Sequence, residues 1–127
     1  MVNLLIVDDD KDLLNTFADY FITLGHRITK AENGLEAFEF FKHDNFDLAI
    51  LDVELPELNG LDLTKKIKKI NPNFPIILIT GYSHLYRPQD VLSLDVEAFL
   101  KKPLNLFELT SIVSQIISRK KSGLKKK

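Results

Sequence analysis

Short unbroken apolar runs along this chain alternate with stretches in which apolar residues recur every three or four positions. The first run, over 3–8, holds Leu4, Leu5, Ile6 and Val7 and closes on carboxylates, Asp8, Asp9 and Asp10. From Asp10 the spacing turns helical, with Leu14, Phe17, Ala18 and Phe21 on one stripe, and Leu24-Gly25 ends it, the glycine suited to a left-handed C-terminal position. A short alternating strand is expected over 27–31. Asn33-Gly34 then turns the chain into a helix from Leu35 to about Lys42, with Leu35, Phe38 and Phe41 inward. The run over 46–52 ends in Asp52, and Leu63, Ile67 and Ile70 mark the next helix. Its lysines at 65, 66, 68 and 69 form a wet face, and Asn71-Pro72 stops it. A fourth strand over 75–80 ends in Thr80-Gly81. A weak helix over 84–93 follows, with Pro88 near its start, and then a fifth strand over 97–100. Asn105 caps a last helix whose stripe is Leu106, Leu109, Ile112, Val113, Ile116 and Ile117. Strands alternating with helices predict an α/β fold, a five-stranded parallel sheet covered by helices on both faces.

Composition narrows the classes. The 127 residues suit one domain with a single core, and 45% hydrophobic with 28% charged is the mix of a soluble globular chain. The absence of cysteine excludes disulfides, thiolate metal sites and cysteine nucleophiles, and His26, His43 and His84 lack zinc-site spacing. No apolar run reaches the roughly 20 residues of a membrane span. The first residues lack a signal-peptide pattern, so the cytoplasm is the expected location. The net charge of −1 conceals an asymmetry: Arg119, Lys120, Lys121, Lys125, Lys126 and Lys127 face no acid, and without them 11 basic residues stand against 18 acidic ones. An acidic body over 1–118 argues against nucleic acid as a partner. The domain is expected over 1–119, with 120–127 a solvated basic tail or the start of a linker.

In a parallel sheet the carboxyl ends of all strands share one rim, where open α/β sheets bind ligands. That rim would gather Asp8 and Asp9 after the first strand, Asp52 at the end of the third, Thr80 at the end of the fourth and Lys102 after the fifth. Pro56 and Gly60 would shape the loop beyond Asp52. Three clustered carboxylates repel one another unless a cation intervenes, and hard oxygen donors select Mg²⁺. A carboxylate nucleophile can take a phosphoryl group as an acyl phosphate, its charge countered by the metal and a lysine. Asp8 and Asp10 also admit a simpler role as caps of the first helix, preferred for Asp10. Thr80 admits one as an ordinary β-branched strand residue, and Phe99 one as plain core.

Four segments in order, Ile-Val-Asp-Asp-Asp, Leu-Asp-Val-Glu-Leu-Pro-Glu-Leu-Asn-Gly, Ile-Thr-Gly and Phe-Leu-Lys-Lys-Pro, give the chain a resemblance to the receiver domains of bacterial two-component response regulators, over about residues 2–119. The resemblance implies a doubly wound, flavodoxin-like sheet of order 2-1-3-4-5. It further implies that Asp52 is the phosphoacceptor and Asp9 the main Mg²⁺ carboxylate, with Asp8 as its acidic partner. Asp52 would also ligate the metal, and Glu54 would offer its backbone carbonyl. Thr80 and Lys102 would act on the phosphoryl group, helped by the Gly81 N–H, with Lys101 of lesser interest and Lys102-Pro103 cis. Thr80 and Phe99 would form the switch, while Tyr82 and Glu54 tune lifetime and His84 has a surface role. The implied donor is a histidine kinase or histidine phosphotransfer domain, and the implied output is an effector or homodimer through the 84–117 face. Two other readings stand beside it: a Mg²⁺-dependent phosphatase with an aspartyl nucleophile, using Asp8 and Asp10, and a scaffold of this fold without phosphorylation. No effector domain is expected after Ser118 within this sequence, which fits either a single-domain regulator or part of a longer protein.

Overall fold

Leu-, Ile- and Val-rich runs become strands because such side chains suit a pleated surface buried on both sides. In the structure, a computed structural model that describes residues 2–81 and 88–121, five strands carry them: β1 (Asn3–Val7), β2 (Arg27–Ala31), β3 (Leu48–Asp52), β4 (Ile76–Thr80) and β5 (Ala98–Lys101). They pair in parallel in the order β2-β1-β3-β4-β5. The helices are α1 (Lys11–Thr23), α2 (Gly34–His43), α3 (Gly60–Ile70), α4 (Pro88–Leu92) and α5 (Leu106–Lys121). The expected doubly wound sheet, 2-1-3-4-5, is what forms. Of the helix expected over 84–93, residues 88–92 are helical, and Tyr82 and His84 lie outside the described residues. No helix among the described residues is long and apolar enough to cross a membrane.

The two-residue period of the strands sorts one apolar run into two core layers. Leu5, Val7, Ala49, Leu51, Ile76 and Leu78 pack with Ala37 of α2 and with Leu63 and Ile67 of α3. Leu4, Ile6, Leu48, Ile50, Ile77 and Ile79 pack on the other side with Leu14, Phe17 and Phe21 of α1 and Leu109, Val113 and Ile116 of α5. Side-chain caps start the helices. Asp10 accepts from the Asp12 and Leu13 N–H groups, Asn33 from Glu36, Asn59 from Asp62 and Asn105 from Glu108. Each such cap contributes about 1 kcal/mol. Gly25, at φ 92°, ends α1 in the left-handed region as its sequence position suggested.

Two features depart from the sequence reading. Leu35 does not join the buried face of α2: it is 50% exposed, while Gly34 and Ala37 are buried. A Cβ at Gly34 would run into the Leu58 carbonyl, so the first turn of α2 lies against that loop with its smallest residues inward and Leu35 turned out. The second departure is at the C-terminal end. α5 continues through Lys121, two residues past the expected boundary at 119. Arg119 Nη2 donates to Glu97 Oε2 at 2.6 Å, neutralising a carboxylate whose side chain is only 7% exposed. Lys120 Nζ donates to the Asp47 carbonyl at 3.2 Å, and Asp47 Oδ2 accepts from the Asn3 N–H at 2.9 Å.

Candidate functional site

Register builds the site. Val7 of β1 lies opposite Leu51 of β3, so Asp8 and Asp52 stand level at the carboxyl ends of adjacent strands. β1 is also where the strand order reverses, with β2 on one side and β3 on the other, the place where open α/β sheets form a crevice. Thr80 ends β4 one residue beyond the partner of Asp52, and Lys101 pairs with Thr80. The Lys102 N–H donates to the Thr80 carbonyl at 2.8 Å, fixing where that side chain begins. The Lys102-Pro103 peptide is cis, as expected.

Asp8, Asp9 and Asp52 each place a carboxylate oxygen within 4.8 Å of the others. Asp8 and Asp52 are buried, whereas Asp9 is exposed. One ammonium faces two of these acids: Lys102 Nζ lies 2.9 Å from Asp52 Oδ2 and 3.5 Å from Asp8 Oδ2. Burial pushes the Asp52 carboxyl up to about 6, and the Asp8 charge adds to that while Lys102 pulls it back. Lys102 is also shifted upward, by its partnership with these acids. Burial lowers it, but the hydrogen bond and charge of Asp52, with Asp8 behind, leave it above the usual lysine value. Three acids against one lysine is an incompletely neutralised set of hard oxygen donors, and these residues fit a small divalent cation.

The loop after β3 bends tightly over this cluster. Glu57 sits at φ 68°, left-handed for a non-glycine residue, while the Leu58 N–H reaches back to the Pro56 carbonyl at 2.7 Å. Gly60 has no alternative, because a Cβ there would collide with the Asp52 carbonyl. Beside the acids, Leu13, Phe17, Gly81, Lys102, Pro103 and Leu104 line an open groove of about 490 Å³.

Asp10 is turned away, its Oδ1 engaged with the first turn of α1. Lys101 is exposed, and Phe99 is half-buried against the core layer of α2 and α3. The sequence reading missed the side chain of Glu54. Its Oε2 accepts from the Thr80 hydroxyl at 2.6 Å and its Oε1 from the Gly81 N–H at 3.1 Å, while its own N–H donates to Asp52 Oδ1 at 3.2 Å. The available signal was a second acid two positions beyond Asp52, which fixes the main chain but not where the side chain turns.

A family model described as the response regulator receiver domain matches residues 4–114. The chain belongs to this family. The response regulator SaeR of Staphylococcus aureus is 31% identical over 121 residues, covering 95% of this chain but 53% of its own length, so the chain spans about half of that relative. Among solved structures, a response regulator receiver domain protein from Clostridium thermocellum superposes with a TM-score of 0.88 at 25% identity, over 98% of this chain and 100% of the other. The response regulator TrrA of Thermotoga maritima, solved in complex with Mg²⁺ and BeF, gives 0.82 at 34% identity, over 91% of this chain and 99% of the other. This receiver domain thus shares its architecture with relatives along nearly its whole described length.

Proposed function

We propose that this receiver domain takes a phosphoryl group onto Asp52 from the phosphohistidine of a histidine kinase or histidine phosphotransfer domain, within a cytoplasmic two-component relay. One observation carries the reading: a buried carboxylate at a strand end stands between a lysine ammonium and two further acids. An Asp52 oxygen bonds to phosphorus as the P–N bond breaks, and the imidazole, protonated on its other nitrogen, leaves neutral with the bonding pair. Lys102 faces the charge that gathers on the transferred oxygens, and Thr80 and Gly81 offer donors on the β4 side. Asp8, Asp9 and Asp52, with the Glu54 carbonyl, are the residues that would hold Mg²⁺, and TrrA was solved with that ion. When bound, the ion supplies positive charge that relieves carboxylate repulsion and neutralises phosphoryl oxygens. The apolar groove beside Lys102 suits a donor side chain. Output would pass through Thr80 and Phe99 to the face of α4, β5 and α5, toward an effector or a second copy. The domain is read as residues 1–119, and the Arg119–Glu97 and Lys120–Asp47 contacts support counting the end of α5 with it.

The phosphatase reading loses support from Asp10. An aspartyl phosphatase needs a second acid beside its nucleophile, and the Asp10 carboxylate is occupied in capping α1. Incubation with acetyl phosphate and Mg²⁺ tests the proposal: intact mass should show one added phosphate, and Asp52→Asn none. Equal labelling of Asp52→Asn would refute it.

A further inference from the structure

The two donors assigned above to the phosphoryl group already have an acceptor. The carboxylate of Glu54 takes the Thr80 hydroxyl on one oxygen and the Gly81 N–H on the other, at 2.6 and 3.1 Å. Its main-chain N–H meanwhile bonds the acceptor itself, at Asp52 Oδ1. A hydroxyl has one proton to donate and so does a peptide N–H, so neither can serve Glu54 and a phosphoryl oxygen at full strength together. A carboxylate presents two anionic oxygens on one carbon, much as a phosphoryl edge presents two on phosphorus. Thr80 is fully buried, and so is anchored on the sheet side of this contact.

We propose that the Glu54 carboxylate is a resident surrogate for the phosphoryl group, occupying its pocket in the resting domain and expelled from it on phosphorylation. The inference rests on Asp52 being the acceptor and adds a regulator of that site. Three consequences follow. The incoming group meets a like charge and two engaged donors, which slows its arrival. Thr80 is already drawn toward the site before phosphorylation, so the reaction exchanges one anion for another on the same hydroxyl. Once phosphate is lost, Glu54 reclaims both donors and restores the resting state without outside help.

With acetyl phosphate as donor, Asp52 forms its bond to phosphorus while the P–O bond to the acetyl group breaks and acetate leaves with the electron pair. Releasing the donors beforehand should speed this step. Removing hydrogen bonds to a charged acceptor of this exposure should raise the initial labelling rate of Glu54→Ala about tenfold. Glu54→Gln, which keeps the size and one acceptor oxygen, should fall between Ala and wild type. Glu57→Gln removes a neighbouring loop charge that touches neither Thr80 nor Gly81 and should label at the wild-type rate. A second readout needs neither metal nor phosphate: the Gly81 amide resonance of the unphosphorylated chain should move upfield in Glu54→Ala, with faster amide exchange. Equal labelling rates in Glu54→Ala, Glu54→Gln and wild type, with Gly81 unmoved, would overturn the surrogate while leaving Asp52 as acceptor. Slower labelling in Glu54→Ala would overturn it too, and an acceleration shared by Glu57→Gln would reduce it to general charge. Failure of wild type to label at all would strike the phosphoacceptor reading instead.

Discussion

The two ends of the sheet hold their carboxylates in opposite ways. At the amino pole, Glu97 is matched by one guanidinium at 2.6 Å, and Asp47 is bonded to a main-chain N–H and faces Lys120. At the carboxyl rim, Asp8 and Asp52 share the Lys102 ammonium with Asp9 close beside them, and the Asp52 carboxyl is pushed up to about 6. The first arrangement satisfies its charge and holds the fold together. The second leaves negative charge over, which costs stability and gives the site an appetite for cations and for a transferable group. Burial alone therefore does not mark a reactive acid. The ratio of acids to fixed counter-charges around it does.

Removing the Asp52 charge should give the largest change in stability. A folded-state value near 6 against an ordinary 3.8 means the native state holds this proton more tightly than the unfolded chain does. The associated stability is complete below about pH 4 and is lost as pH rises through 6. At roughly 1.4 kcal/mol per unit, the ionised acid costs the native state up to about 3 kcal/mol at pH 7.5, with the pull of Lys102 already counted. Asp52→Asn should accordingly be about 2 kcal/mol more stable than wild type at pH 7.5 and nearly equal at pH 4, by urea denaturation at both. A constant difference across that range would place the destabilising charge elsewhere.

The mirror experiment belongs to the amino pole. Arg119→Ala should destabilise by about 1–2 kcal/mol, since it removes a charged donor from a carboxylate whose side chain is 7% exposed, while the guanidinium itself is half-exposed. Acetyl phosphate labelling should stay at the wild-type rate, because that pair lies at the far end of the strands. A variant that loses labelling in proportion to stability would erase the functional distinction between the poles.

The smallest expected change sharpens the cation argument. Asp9→Ala should weaken Mg²⁺ binding by roughly tenfold in calorimetric titration, having removed one of three oxygen donors. Arg119→Ala should titrate as wild type does. Equal weakening in both would mean that the ion does not distinguish the rim.

Strand ends were easy to read because an apolar run that stops at a charge is a local signal; Asp52 and Thr80 both close strands as expected. The caps Asp10 and Asn105 were legible for the same reason, both standing next to helical periodicity. Leu35 misled because a period fixes the width of a stripe, whereas its orientation depends on which neighbour comes close, here Leu58 against Gly34. The convergence of Asp8, Asp9, Asp52 and Lys102 at one rim followed from strand polarity alone. The Glu54 side chain and the Arg119 pair did not, since those contacts join residues 26, 27 and 22 positions apart with nothing local to announce them.

Asp47 has a further consequence. Its carboxylate holds the main chain at Asn3 and its carbonyl holds Lys120, so the first strand and the last turn of α5 meet on one residue. Asn3 at the start of β1 and Lys120 near the end of α5 are therefore tied to the same short segment before β3. For protein engineering this makes the amino pole the natural place for attachments. A label at Asn3 or Lys120 would sit about 16 Å, one strand length, from the carboxyl rim and leave the approach to Asp52 clear.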